Sequence, residues 1–176
     1  MVAEAKLVDV GSGLAPEGDG WYVVNVRDAA WFVNAAFGSS ALHEERSRQL
    51  GVNLAVLEPG SPNCLYHEES NDEAFLVLAG ECVLVVDRDE RTLRAWDFFR
   101  CPAGTRHVLV GAGSEPCAIL CIGARSEVET VLYPRDEVAA RHGASAKEDT
   151  GDPSVAYAGF PDYEPTPGPR GMPWNR

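Results

Sequence analysis

Two of the four histidines in this chain, His67 and His107, sit where they could hold a metal ion. His67 lies in Tyr66-His67-Glu68-Glu69-Ser70-Asn71-Asp72-Glu73, where carboxylates follow an imidazole at ligand spacing. His107 closes Cys101-Pro102-Ala103-Gly104-Thr105-Arg106-His107, in which a Pro-Gly turn delivers an imidazole onto a strand. Alternate residues of a strand share a face, so His67 and Glu69 go together while Tyr66 and Glu68 take the other side. A hairpin through Ser70-Asn71-Asp72 is expected to set Glu73 opposite that pair. His107 and Leu109 share a face further on. With these faces turned inward, four candidate ligands converge: His67, Glu69, Glu73 and His107. Imidazole combined with carboxylate suits a first-row transition metal, with Zn, Mn, Fe or Ni favoured over Cu(I). Glu73 opens an apolar strand, where an unpaired carboxylate is costly to bury, and a cation removes that cost. Glu68 and Asp72 read as solvated turn residues.

The elements that must position these groups are short and strand-like. Apolar runs of four to eight residues recur between turn signals: 21–26, 52–57, 73–79, 82–86, 92–96, 98–101, 106–110 and 117–122. Glu58-Pro59-Gly60 marks a turn, and Gly80-Glu81 reads as a tight hairpin connection. Strands at this spacing, without helical periodicity between them, predict an antiparallel sandwich or barrel. Residues 41–50 read as a short helix or a charged loop. Residues 134–143 read as a helix, with Pro134 at its start, acids in its first turn, and Arg141, His142 and Gly143 at its end. That position explains His142 without a metal.

From Ser145 the composition turns polar, and prolines punctuate the end, so neither a central strand nor a long helix is expected there. Tyr157, Phe160, Tyr163 and Trp174 favour an extended arm docked on the barrel or on a neighbouring subunit. Three segments are expected: residues 1–50 packing on the barrel, a core at 51–125, and a helix with a Pro-rich tail at 126–176.

Composition narrows the partners. The 176 residues suffice for one domain with a sound core. A net charge of −12, from 27 acidic against 15 basic residues, disfavours nucleic acid and anionic membranes. No leader-like or membrane-spanning run is seen, and the five cysteines lack C-x-x-C pairing, so reduced thiols in a cytoplasmic protein are expected. Cys64 and Cys101, close to the two motifs, could line the pocket.

The two motifs resemble those of the cupin superfamily. Its first motif, G-x(5-6)-H-x-H-x(3-4)-E-x(6)-G, is matched by Gly60, His67, Glu69, Glu73 and Gly80. Its second, G-x(5)-P-x-G-x(2)-H-x(3)-N, is matched from Trp96 through Pro102, Gly104 and His107 to Gly111. The resemblance covers roughly residues 52–124. It implies an all-β fold, a small antiparallel double-stranded β-helix of jelly-roll form with a short C-terminal helix. It also implies a divalent metal on His67, Glu73 and His107. Three positions depart from the pattern: Glu69 stands where a histidine is usual, Trp96 replaces a glycine, and Gly111 an asparagine. Glu69 is either a fourth ligand or, beside a two-His, one-carboxylate site, a general base or substrate contact. Phe75, Trp96 and Leu109 are expected at the pocket. The resemblance further implies a small-molecule ligand and a homodimer. Two functions fit: a dioxygenase- or isomerase-like enzyme on a small polar molecule, or a non-catalytic binding module.

Overall fold

The computed structural model describes residues 1–42 and 49–172. Strands β1 (Lys6–Asp9) and β2 (Leu14–Glu17) form a separate hairpin. Next come β3 (Trp31–Asn34), β4 (Gly38–Ala41) and the long β5 (Leu50–Leu57). The middle of the chain supplies β6 (Glu68–Glu69), β7 (Glu73–Ala79), β8 (Glu81–Val86), β9 (Asp89–Arg94) and β10 (Phe98–Cys101). Strands β11 (His107–Ala112), β12 (Cys117–Ala124) and β13 (Val131–Leu132) follow. Helices α1 (Glu137–Arg141) and α2 (Pro153–Ala156) and strand β14 (Glu164–Thr166) complete the chain. The architecture is the expected antiparallel all-β one. No helix among the described residues is long and apolar enough to cross a membrane.

A seven-stranded sheet, in the order β10-β7-β12-β5-β4-β3-β14, faces a three-stranded sheet, β11-β8-β9. Between them lies an apolar core of Leu57, Phe75, Val77, Leu84, Leu93, Leu109 and Ile119, among others. Both sheets are also covered outside. Trp31, Leu54, Val56 and Met172 pack on the outer face of the large sheet. Tyr66, Val85, Val108 and Val110 pack beneath Ala139 of α1 on the small one. Burial on both faces is why β11 and the end of β5 read as continuous apolar runs without alternation.

Helix α1 is capped as its sequence suggests. The carboxylate of Asp136 accepts from the Val138 and Ala139 amides, and His142 pairs with Glu90 at 2.9 Å. The tail docks on the barrel: Tyr157 and Phe160 pack with Phe37, Leu65 and Tyr133, and β14 adds to β3 as an edge strand where Pro165 is tolerated. Trp174 and most of the segment expected between 41 and 50 lie outside the described residues.

Three expectations need correction. The run 21–26 is not a strand: Trp21 makes only an isolated bridge to Glu4, and Asn25 caps a short 3-10 turn instead. Gly80-Glu81 is not a hairpin, because β7 and β8 belong to different sheets. Gly80 is the corner between the sheets; at φ 74° a Cβ there would lie 2.5 Å from the Pro116 carbonyl oxygen. The tight hairpin is instead β8–β9, turned by Asp87 and Arg88, both at positive φ. Nor is there a hairpin from His67 to Glu73. Strand β6 pairs with β13, while β7 pairs with β10 and β12, so the two motifs meet across the barrel mouth.

Candidate metal centre

The main chain brings the two histidines together. His67 and His107 form an antiparallel bridge, each amide donating to the other's carbonyl at 3.2 and 2.9 Å. The turn before His107 closes through the Thr105 amide and the Pro102 carbonyl, with Gly104 at φ 78°. Asp72 ties this turn to the first motif. One of its carboxylate oxygens accepts from the Ala103 amide at 3.0 Å and the other from Arg100 at 3.1 Å. Asp72 is the solvated turn residue expected, with its side chain 56% exposed, and it also braces one motif to the other.

Both imidazoles are oriented by backbone carbonyls. Nδ1–H of His67 donates to Leu65 at 2.7 Å, and Nδ1–H of His107 donates to Thr105 at 3.1 Å. In the neutral imidazole this commits the one proton to Nδ1 and turns the Nε2 lone pair toward the site, the orientation that metal-binding histidines take from such carbonyl partners. His107 Nε2 lies 3.3 Å from a Glu73 carboxylate oxygen. It is nonetheless buried with no hydrogen-bond partner. Ligand atoms of His67, Glu73 and His107 all lie within 4.8 Å of one another. Glu69 sits at the edge of this group, 3.6 Å from His67 Nε2.

The electrostatics are those of a site built for a cation. Burial, then the nearby Glu69 carboxylate, raises Glu73 to about 7. Burial, then repulsion from His67, lowers His107 to about 4. Burial also opposes charge on His67, but the Cys64 sulfur and the Glu69 and Glu73 carboxylates outweigh it and raise that imidazole well above its usual value. The residues fit a divalent metal. Two imidazole nitrogens and a carboxylate converge, and the orphaned His107 Nε2 would gain the partner it lacks.

Around this group, Phe75 and Leu109 face the barrel interior, and Phe75 lies 5.1 Å from the His107 ring, centroid to centroid. Trp96, expected at the pocket, is instead on the outside and 75% exposed. It occupies a turn at φ 75°, where its amide donates to Val77, and the turn carries the ring outward. Arg106 pairs with Glu68 at 2.8 Å on the outer face, as strand alternation requires. Cys64 and Cys101 approach the Nδ1 atoms of His67 and His107, at 3.6 and 3.3 Å, from behind the Nε2 face. Sequence reading missed Tyr133, whose ring lies 5.7 Å from His67. It comes from β13 territory, and only the β6–β13 pairing reveals it.

Comparisons with known proteins agree with this geometry. The cupin domain family matches residues 53–123, which include His67, Glu69, Glu73 and His107. A sugar phosphate isomerase from a cupin superfamily, of Silicibacter pomeroyi, is similar at 28% identity and a TM-score of 0.58, over 65% of this chain and 83% of that one. A protein of Acidithiobacillus ferrooxidans, provisionally named a sugar phosphate isomerase, is 30% identical over 48% of this chain, with a TM-score of 0.46; the match spans 55% of that protein's length. The polyketide cyclase RemF from Streptomyces resistomycificus shares the fold at 16% identity and a TM-score of 0.51, over 59% of this chain and 79% of its own. No curated protein matches the chain.

Proposed function

Through residues 53–123 the chain belongs to the cupin superfamily, and on that premise we propose that it is a metal-dependent isomerase of small hydroxylated carbonyl compounds of the sugar-phosphate kind. One observation carries the metal: the buried, partnerless Nε2 of His107, facing Glu73 and close to His67. His67, Glu73 and His107 would hold the ion. A bound divalent cation would supply a Lewis acid for the substrate's carbonyl and hydroxyl oxygens. Glu69 is the proton carrier. Its carboxylate lies at the edge of the ligand group and is partly open to the barrel mouth. It takes the proton from the carbon beside the carbonyl and returns it to the former carbonyl carbon. The hydroxyl proton passes between the two neighbouring oxygens, so no outside oxidant is needed. The similarity to the Silicibacter pomeroyi sugar phosphate isomerase supports this reaction class.

The two-His, one-carboxylate group also favours a second reading, an iron-dependent dioxygenase that takes up dioxygen. The open edge of β10, with Trp96 and Phe98 exposed beside it, supports a second copy of the chain as partner. The deciding experiment loads the protein with Zn, Mn, Fe or Ni and follows exchange of substrate carbon-bound protons into deuterated water by NMR. Glu69→Gln should keep its metal and lose exchange, while His107→Ala loses both. Exchange undiminished in Glu69→Gln refutes the isomerase reading, and dioxygen uptake by the iron form in its place supports the second.

A further inference from the structure

The two histidines of the site are held in different ways. His107 is fully buried, and the Thr105 carbonyl, Phe75 and Phe99 around its ring belong to the span matched by the cupin domain. Two contacts of the His67 ring lead instead to the C-terminal segment. Its Nδ1–H donates to the carbonyl of Leu65 at 2.7 Å, and the amide of the same Leu65 donates to the hydroxyl of Tyr157 at 3.2 Å. The ring of Tyr133 lies 5.7 Å from the His67 ring, and the ring of Tyr157 stands edge-on to Tyr133 at 5.4 Å. Two routes therefore run from Tyr157 to one imidazole.

Local sequence fixes the start of both routes. Asp152 accepts from the Ser154 amide, Pro153 opens the turn where no amide is needed, and the Tyr157 amide closes α2 on the Pro153 carbonyl at 2.9 Å. Just before α2, Thr150 exchanges both main-chain bonds with Tyr133, at 2.8 and 3.1 Å. Tyr133 in turn follows β13, which pairs with the Glu68–Glu69 strand beside His67. The Tyr157 ring packs among Phe37, Tyr133 and Phe160, and a phenylalanine ring could pack there as well. The hydroxyl does what a phenylalanine could not. Leu65 is fully buried and lies outside every strand, where an amide without an acceptor is costly. The Tyr157 oxygen is that acceptor. Without it the buried amide must turn toward another partner, and the carbonyl that orients His67 is carried by the same residue.

We propose that Tyr157 is a positioning residue for the candidate ligand His67, which makes the C-terminal segment part of the metal centre. Its hydroxyl fixes the Leu65 amide, and its ring backs Tyr133 against the imidazole. The assignment rests on His67 being a metal ligand and not on which reaction the metal serves.

The test uses the full chain with Co(II) as the probe. Tyr157→Phe keeps the ring and removes the hydroxyl, whereas Phe160→Leu loosens the same aromatic cluster and leaves the hydroxyl in place. Tyr157→Phe should weaken Co(II) binding, read by chelator competition, by about tenfold and shift the visible absorption of the bound ion. Phe160→Leu should lower Tm at least as much, yet keep the affinity of the folded protein within about twofold and the absorption unchanged. In NMR spectra of the chelated protein, the Leu65 amide and the His67 ring signals should move in Tyr157→Phe and stay in place in Phe160→Leu. Affinity and absorption unchanged in Tyr157→Phe, or lost equally in Phe160→Leu, overturn the proposal. A parent chain that takes up no Co(II) refutes the metal reading, while the His67 ring signals of the chelated protein still tell whether Tyr157 positions that imidazole.

Discussion

Replacing Glu73 by glutamine should change stability in opposite directions with and without metal. In the chelated protein the Glu73 side chain is 14% exposed and its carboxyl is raised from 4.5 to about 7. The folded chain therefore holds that proton more tightly than the unfolded chain does. Its contribution to stability is complete below pH 4.5 and is lost as pH rises through about 7. The loss corresponds to about 3 kcal/mol once the group is fully charged. His107, lowered to about 4, acts in the opposite sense between about 4 and 6.5, but it is common to both proteins and cancels to first order in their difference. In chelator at pH 8, Glu73→Gln should be more stable than the unaltered protein by about 3 kcal/mol, or about 6–12 °C in Tm. The gap should shrink toward zero at pH 5. Metal at about a hundredfold excess over its Kd should then add about 3 kcal/mol to the unaltered protein alone and close the gap at pH 8. Chemical denaturation in chelator and in metal, at both pH values, makes the measurement. A glutamine variant less stable than its parent at pH 8 in chelator, or a gap that ignores pH, refutes the reasoning.

Metal affinity should itself depend on pH. Binding must displace the proton from Glu73 and one from His67, whose pKa values are both raised. The apparent affinity, read by competition with a coloured chelator, should climb about tenfold or more per pH unit below 7 and go on rising above it until His67 has also lost its proton. The corner between the sheets should be intolerant of any side chain. Gly80→Ala meets the Pro116 carbonyl oxygen at 2.5 Å while at φ 74°, and should cost about 2 kcal/mol or more in urea melts, with the barrel strands still formed. Removing the α1 cap in Asp136→Ala should cost about 1–2 kcal/mol, since the carboxylate satisfies two amides and is buried.

His67, Glu73 and His107, which the structure brings together, were legible as residue types in two motifs, although the hairpin expected to join His67 to Glu73 is not there. His67 and His107 each follow a turn signal, and Glu73 heads an apolar strand where a lone carboxylate has no other reason to be. The all-β class was legible in short apolar runs between Gly and Pro. What escaped was whatever depends on pairing across long stretches of chain. Strands β3 and β4 carry polar and small residues, Asn34, Ser39 and Ser40, and become strands only through β5 and β14. Gly80 looks like a hairpin in sequence because a two-strand turn and a sheet-to-sheet corner both call for a positive φ. Trp96 stands in a motif position, but the turn it occupies carries the ring outward.

The most direct test of the metal centre is an anomalous-scattering map from crystals of the metal-loaded protein, collected at the metal's absorption edge. One strong peak is expected within bonding distance of Nε2 of His67, Nε2 of His107 and the Glu73 carboxylate, about 2.0–2.2 Å from each, with Glu69 outside that distance. The absence of a peak there, or a metal bound through other atoms, would contradict the assignment.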